Sequence, residues 1–136
     1  MSPSTPHILV VDDDPGILDA LRILFESEGY RVQTCEKGDY VESLRNASGT
    51  LPDLIVLDLL LSGKDGRTIC RMLKSQEATR PIPVLMISAH PGAEQSVKEV
   101  GADAFLAKPF TIDDMLDTVA ALLAGVPHEE RPLQGD

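Results

Sequence analysis

The chain has no cluster of Lys and Arg. Its 12 basic residues stand against 22 acidic ones, a formal net charge of −10 with a pI near 4.6. Nucleic acid is held by neutralising its phosphates, so direct binding to it is not expected of this domain. Arg67, Arg71 and Lys74 recur at helical spacing, which reads as a solvated helix face. Cysteine is scarce. Cys35 and Cys70 stand far apart, match no zinc spacing and have no companion pair. They read as small core residues, in keeping with a reducing cytoplasm. His7, His90 and His128 share no ligand spacing and read as unconnected surface residues. No apolar stretch approaches the ~20 residues that cross a bilayer. The N-terminus lacks the shape of a signal peptide, because its apolar run is short and ends on three acids. No internal repeat is present. With 136 residues and a 43% apolar share, one soluble globular domain is expected.

What the chain does have is four short apolar runs, each ending on a residue suited to phosphate or a metal ion. His7-Ile8-Leu9-Val10-Val11 leads into Asp12-Asp13-Asp14, and Leu54-Ile55-Val56-Leu57 into Asp58. Val84-Leu85-Met86-Ile87 leads into Ser88, and Ala104-Phe105-Leu106-Ala107 into Lys108-Pro109. Short apolar runs bounded by turn residues read as buried strands of a parallel sheet. Ligands of an open parallel sheet bind outside the carboxyl ends of its strands. Carboxylates, a hydroxyl and an ammonium are therefore expected to meet on one edge.

Strands and helices alternate five times. Asp14-Pro15 reads as an N-cap followed by proline at the first helical position. Ile17, Leu18, Leu21, Leu24 and Phe25 form the apolar face of that helix, and Gly29 ends it. A strand is expected at 31–35 and a weaker helix from Lys37 to Ala47, with Tyr40, Val41 and Leu44 inward. The segment 62–66 has turn chemistry and leads to a helix from about 66 to 76. The stretch 91–100 is the weakest helix, with only Ala93, Val97 and Val100 as an apolar stripe. Thr111-Ile112-Asp113-Asp114 resembles a capping box before a last helix reaching about Ala124. Residues 7–124 are thus expected to form the domain, with 1–6 an N-terminal tail and 125–136 a C-terminal tail or linker.

The chemistry of the expected cluster is specific. Mg²⁺ takes oxygen ligands in octahedral geometry. Asp12 and Asp13 at one strand end and Asp58 at its neighbour supply such oxygens. Without a cation they repel, which raises at least one pKa. With one, Asp58 is an ionised nucleophile toward phosphorus. Lys108 adds a flexible positive donor for a phosphoryl oxygen. Ser88 adds a hydroxyl able to swing toward the phosphoryl group.

Val10-Val11-Asp12-Asp13, Leu57-Asp58, Gly66, Ile87-Ser88-Ala89 and the run Gly101 to Phe110 resemble the CheY-like receiver domain of two-component response regulators. The resemblance covers roughly residues 7 to 124. It implies an α/β fold, a (βα)₅ doubly wound parallel sheet of order 2-1-3-4-5, flavodoxin-like. It implies Asp58 as phosphoacceptor, Asp13 as direct Mg²⁺ ligand, Asp12 close by, and the backbone carbonyl of Leu60 as a further ligand. Ser88 becomes the switch hydroxyl, Phe105 the aromatic switch position and Lys108 the phosphate-pairing lysine, with Lys108–Pro109 cis. The implied donor is a histidine kinase or histidine phosphotransfer protein. The implied output is a partner or second copy on the face of the fourth helix, fifth strand and fifth helix.

Two residues depart from the family pattern. Ser62 stands where proline is common, and Phe105 lacks the hydroxyl of the usual tyrosine. Leu60 and His90 are expected to flank the water that hydrolyses the acyl phosphate, with His90 at the rim. Two rival readings remain. In a phosphotransferase of the haloacid dehalogenase type, Asp12 is the nucleophile, since Asp12-Asp13-Asp14-Pro15-Gly16 loosely resembles its Asp-x-Asp loop. That family usually has a longer chain and a second acidic motif, and leaves Asp58 unexplained. A pseudo-receiver acting only as a docking module needs a damaged acid cluster, and this one is intact. The acidic last helix (Asp113, Asp114, Asp117) tilts the reading toward a stand-alone or hybrid-kinase receiver.

Overall fold

Every residue of Leu54–Asp58 and of Val84–Ser88 is buried, whereas Arg31–Cys35 is only half-buried. Strands hidden on both faces belong in the middle of a helix-covered parallel sheet, and a partly wet one at its edge. The computed structural model, which describes residues 5–38, 41, 51–90 and 92–125, has this arrangement. Its elements are β1 (His7–Val11), α1 (Pro15–Ser27), β2 (Arg31–Cys35), β3 (Leu54–Asp58), β4 (Leu60–Leu61), β5 (Lys64–Asp65), α2 (Gly66–Ser75), β6 (Val84–Ser88), α3 (Ala93–Glu99), β7 (Ala104–Ala107) and α4 (Ile112–Leu123). Five strands form one parallel sheet in the order β2-β1-β3-β6-β7. This is the flavodoxin-like order 2-1-3-4-5, because among the described residues β4 and β5 pair only with each other.

Side chains alternate across the sheet and fill two cores. Ile8, Val10, Leu54, Val56, Leu85 and Ile87 pack with Leu18, Leu21 and Phe25 of α1 and Met115, Val119 and Leu122 of α4. Leu9, Val11, Ile55, Leu57 and Met86 pack on the other face with Ile69, Cys70 and Leu73 of α2 and Val97 of α3. Val41 is helical and fully buried on this second face. The rest of the expected 37–47 helix, with Tyr40 and Leu44, lies outside the described residues apart from Lys37 and Gly38. So do His128 and all of the 125–136 tail except Gly125.

The helix starts follow local chemistry. The Asp14 carboxylate accepts from Gly16 N–H at 2.8 Å, with Pro15 at the first helical position. Thr111 Oγ1 accepts from Asp114 N–H at 2.9 Å, one half of a capping box. Gly29 takes a positive φ of 92° just past α1. Two expectations need correction. Of the basic residues of α2, Arg71 is exposed as expected, but Arg67 and Lys74 are not simply solvated. Lys74 Nζ donates to Asp103 Oδ2 at 2.9 Å and to the carbonyls of Ile82 and Arg80, while Asp103 Oδ2 also accepts from Val84 N–H. Only tertiary folding brings α2, the start of β6 and the turn before β7 to one ammonium. His7 is likewise half-buried at the amino end of β1, where burial and Arg31 lower its pKa.

Candidate functional site

Strand register places the site. Val11 is level with Leu57, and Asp58 with Ile87. Ile87 is level with Leu106, and Ser88 with Ala107. One residue past the end of β1 is therefore Asp12, level with Asp58 on β3. One residue past Ile87 is Ser88, and one past Ala107 is Lys108. Neighbouring strands lie about 4.8 Å apart, so these four positions crowd one edge of the sheet.

The charges there are tightly paired. Asp12 is fully buried, and Asp58 is 7% exposed. Lys108 Nζ donates to Asp12 Oδ2 at 3.0 Å and lies 3.3 Å from Asp58 Oδ1. The second Asp12 oxygen accepts from Asp14 N–H at 2.9 Å. Burial and the adjacent Asp12 charge push the Asp58 pKa up, against the pull of Lys108. Burial works against the Lys108 ammonium, but its bonds and charge contacts with Asp12 and Asp58 outweigh this and raise its pKa. The peptide bond Lys108–Pro109 is cis, as expected.

Asp13 is exposed, beside the buried pair. Oxygens of Asp12, Asp13 and Asp58 lie within 4.8 Å of one another. Three carboxylates against one ammonium leave a local excess of negative charge, with only oxygen donors. That set fits a hard divalent cation such as Mg²⁺ and suits zinc or copper poorly. Asp14, engaged in capping α1, is not among these oxygens.

The remaining expected residues are close in the fold but in different states. Ser88 is 2% exposed; its Oγ accepts from His90 N–H at 2.9 Å and keeps its proton for another acceptor. Leu60, two residues past Asp58, points outward at 54% exposure. Leu60, Leu59, His90, Arg67 and Ser96 line a cavity of about 380 Å³. Phe105 is half-buried and packs against the α2–α3 face of the sheet. It lines a cavity of about 230 Å³ with Val97, Ala102 and Ala104. The Cys70 thiol is buried and pushed up to about 11, which makes it inert core; Cys35 is only half-buried.

The structure adds two contacts that the sequence did not reveal. Ser62 Oγ donates to Asp13 Oδ2 at 2.9 Å. Arg67 grips the Asp65 carboxylate with Nε and Nη2 and donates from Nη1 to Ser96 on α3. Neither pair has a spacing in sequence that marks it. The Ser62–Asp13 pair spans 49 residues and the Arg67–Ser96 pair 29.

Comparison with known proteins gives a consistent result. A family model for the response regulator receiver domain matches residues 8–120. The DNA-binding dual master transcriptional regulator RpaA of Synechocystis sp. is 43% identical over 120 residues, 87% of this chain and 49% of that protein. The receiver domain of a signal transduction histidine kinase from Syntrophus aciditrophicus is 34% identical with a TM-score of 0.79, over 97% of this chain and 100% of that one. The receiver domain of the sensor histidine kinase PA1611 from Pseudomonas aeruginosa is 26% identical with a TM-score of 0.78, over 88% and 98% of the two chains. That structure has a magnesium ion coordinated in its active site cleft. The chain spans about half the length of the curated relatives it matches.

Proposed function

We propose that this chain, which belongs to the response regulator receiver domain family, takes a phosphoryl group onto Asp58 from a histidine kinase or a histidine phosphotransfer protein. The observation that carries this reading is the position of Asp58: a nearly buried carboxylate at a strand end, 3.3 Å from Lys108 and flanked by Asp12 and Asp13. Burial of a repelled carboxylate is costly. A site that uses its charge gives that cost a function.

Each residue then has a role. Asp58 supplies the attacking oxygen. Lys108, already between Asp12 and Asp58, pairs with an oxygen of the incoming phosphoryl group. Ser88 turns its hydroxyl toward another oxygen, leaving the His90 N–H. Asp12, Asp13, Asp58 and the backbone carbonyl of Leu60 would hold Mg²⁺, whose charge, when bound, offsets the negative charge gathering on the phosphoryl oxygens. The chain acts on itself, promoting its own phosphorylation and dephosphorylation, and is not an enzyme with a separate substrate. Asp12 is a poor nucleophile as it stands, buried with one oxygen on Lys108 and the other on Asp14 N–H. This weighs against the dehalogenase-type reading. The intact acid cluster weighs against a pseudo-receiver.

The signal passes through Ser88 and Phe105 to the face of α3, β7 and α4, where a partner or second copy reads it. Phe105 borders a cavity at this face, so inward burial of its ring is the expected change. We take residues 7–124 as the working unit, with 1–6 and 125–136 as tail or linker. The acidic charge of the domain supports a role without direct nucleic-acid contact, and a cytoplasmic setting belongs to the same reading. Among the described residues no helix is long and apolar enough to cross a membrane.

The test is to incubate the protein with a small phosphodonor and Mg²⁺ and map the labile phosphoryl group. Asp58 is the expected position; label on Asp12, or none, would favour a rival. A Mg²⁺ titration separates the acidic residues further. Asp13→Ala is expected to weaken binding ~10-fold or more, whereas Asp14→Ala costs about 1 kcal/mol of stability through its lost cap. Greater loss of Mg²⁺ affinity in Asp14→Ala would contradict the assignment.

A further inference from the structure

We infer that Ser62 is a positioning residue for the metal-binding carboxylate of Asp13, and that it ties the β4–β5 hairpin to occupancy of that site. The inference rests on the Mg²⁺ reading above. Asp12 is held by Lys108 and by Asp14 N–H, and Asp58 is next to Lys108. Asp13 is exposed, and its Oδ2 accepts the Ser62 hydroxyl at 2.9 Å. An exposed carboxylate must give up rotamer freedom to hold a cation. A donor that already fixes it removes part of that cost. Serine does so without adding charge, so the full negative charge of Asp13 stays available. One oxygen of Asp13 and a lone pair of the other remain for the cation.

The base of the hairpin is rigid enough for this purpose. Leu61 is buried in the α2–α3 core, and Leu61 pairs with Lys64 and Leu60 with Asp65. Gly66 N–H donates to Leu59 O at 2.6 Å, and Asp65 caps α2. Ser62 and Gly63, with φ of +73°, form the exposed tip that reaches back to the end of β1. Ordering Asp13 thus orders the tip, and loss of the tip frees Asp13.

The experiment is calorimetric titration of MgCl₂ into wild type, Ser62→Ala and Ser62→Thr at fixed ionic strength. Hydrogen exchange at residues 62–64 is followed with and without Mg²⁺. Groups that orient a metal ligand change affinity by about 10–100-fold, and an exposed one belongs at the lower end. Ser62→Ala is expected to bind Mg²⁺ ~10-fold more weakly, and Ser62→Thr within about twofold of wild type. Mg²⁺ should protect the 62–64 amides in wild type and not in Ser62→Ala. Wild-type or tighter affinity in Ser62→Ala would overturn the inference and leave the Mg²⁺ reading intact. Absence of Mg²⁺ binding by wild type would overturn both.

Discussion

Asp58→Asn is expected to abolish phosphorylation and at the same time to raise the stability of the metal-free domain at neutral pH. The first effect follows from loss of the proposed nucleophile, since an amide oxygen does not form the acyl phosphate. The second follows from electrostatics. Burial and the Asp12 charge raise the Asp58 pKa in the folded state. A raised folded pKa means that the folded protein binds the proton more tightly than the unfolded chain. The contribution of Asp58 to stability is therefore complete below its unfolded pKa, and is lost as pH rises through the folded one. Above its folded pKa the charged Asp58 is a net burden, which neutral asparagine removes while Lys108 keeps Asp12. The gain should be on the order of 1 kcal/mol, raising Tm by about 3–6 °C for a domain of this size. It should shrink to nothing as pH falls below the ordinary carboxylate range, and millimolar Mg²⁺ should shrink it at pH 7 by neutralising the wild-type cluster. Thermal melts across pH, with chelator and with Mg²⁺, check this. Label incorporated into Asp58→Asn at the wild-type rate, or a lower Tm at pH 7 in chelator, would contradict the account.

Gly66→Ala is expected to destabilise the domain by about 2–3 kcal/mol, lowering Tm by about 10 °C. Gly66 begins α2 directly beneath the chain that leaves β3. A Cβ added there collides with the backbone carbonyl oxygen of Asp58 and comes within 3.0 Å of Leu59 Cα and carbonyl oxygen. Those atoms are backbone and are held in place by Leu59 N–H to Ile87 O and Gly66 N–H to Leu59 O. No side-chain rotation relieves the overlap. Alanine is the better helix former by about 1 kcal/mol, which is too little to offset it. The shift needed would also displace Asp58, so phosphorylation should slow along with the loss of stability. Denaturant melts of Gly66→Ala beside Gly63→Ala separate the causes. Gly63 has positive φ but nothing within 4 Å of an added Cβ, so its cost is backbone strain alone, about 1 kcal/mol. Equal stability in Gly66→Ala and wild type would show that β3 and α2 can part without cost.

The sheet was legible because its strands are continuous apolar runs, and such runs are stable only between two covering layers. The cap at Asp14 and Pro15 was legible for a local reason: a short carboxylate and a fixed φ act within two residues of themselves. Asp12, Asp13, Asp58, Ser88 and Lys108 could be gathered in advance because a parallel sheet brings all its strand ends to one edge. The β4–β5 hairpin was not legible, since two-residue strands are too short to show a period. Arg67 and Lys74 looked like a solvated stripe, because helical spacing gives the face of a residue and not what packs across from it. Their partners, Ser96 and Asp103, come from other elements. The same limit hid Ser62. A serine in a turn has no sequence signal for a carboxylate 49 residues away. Local propensity and the continuous apolar runs were enough to place Asp12, Asp13, Asp58, Ser88 and Lys108 on one edge. Which partner each oxygen holds, which carboxylate is buried and which is exposed were decided only by the tertiary packing, because hydrogen bonds and burial depend on distances between segments that the chain order does not contain.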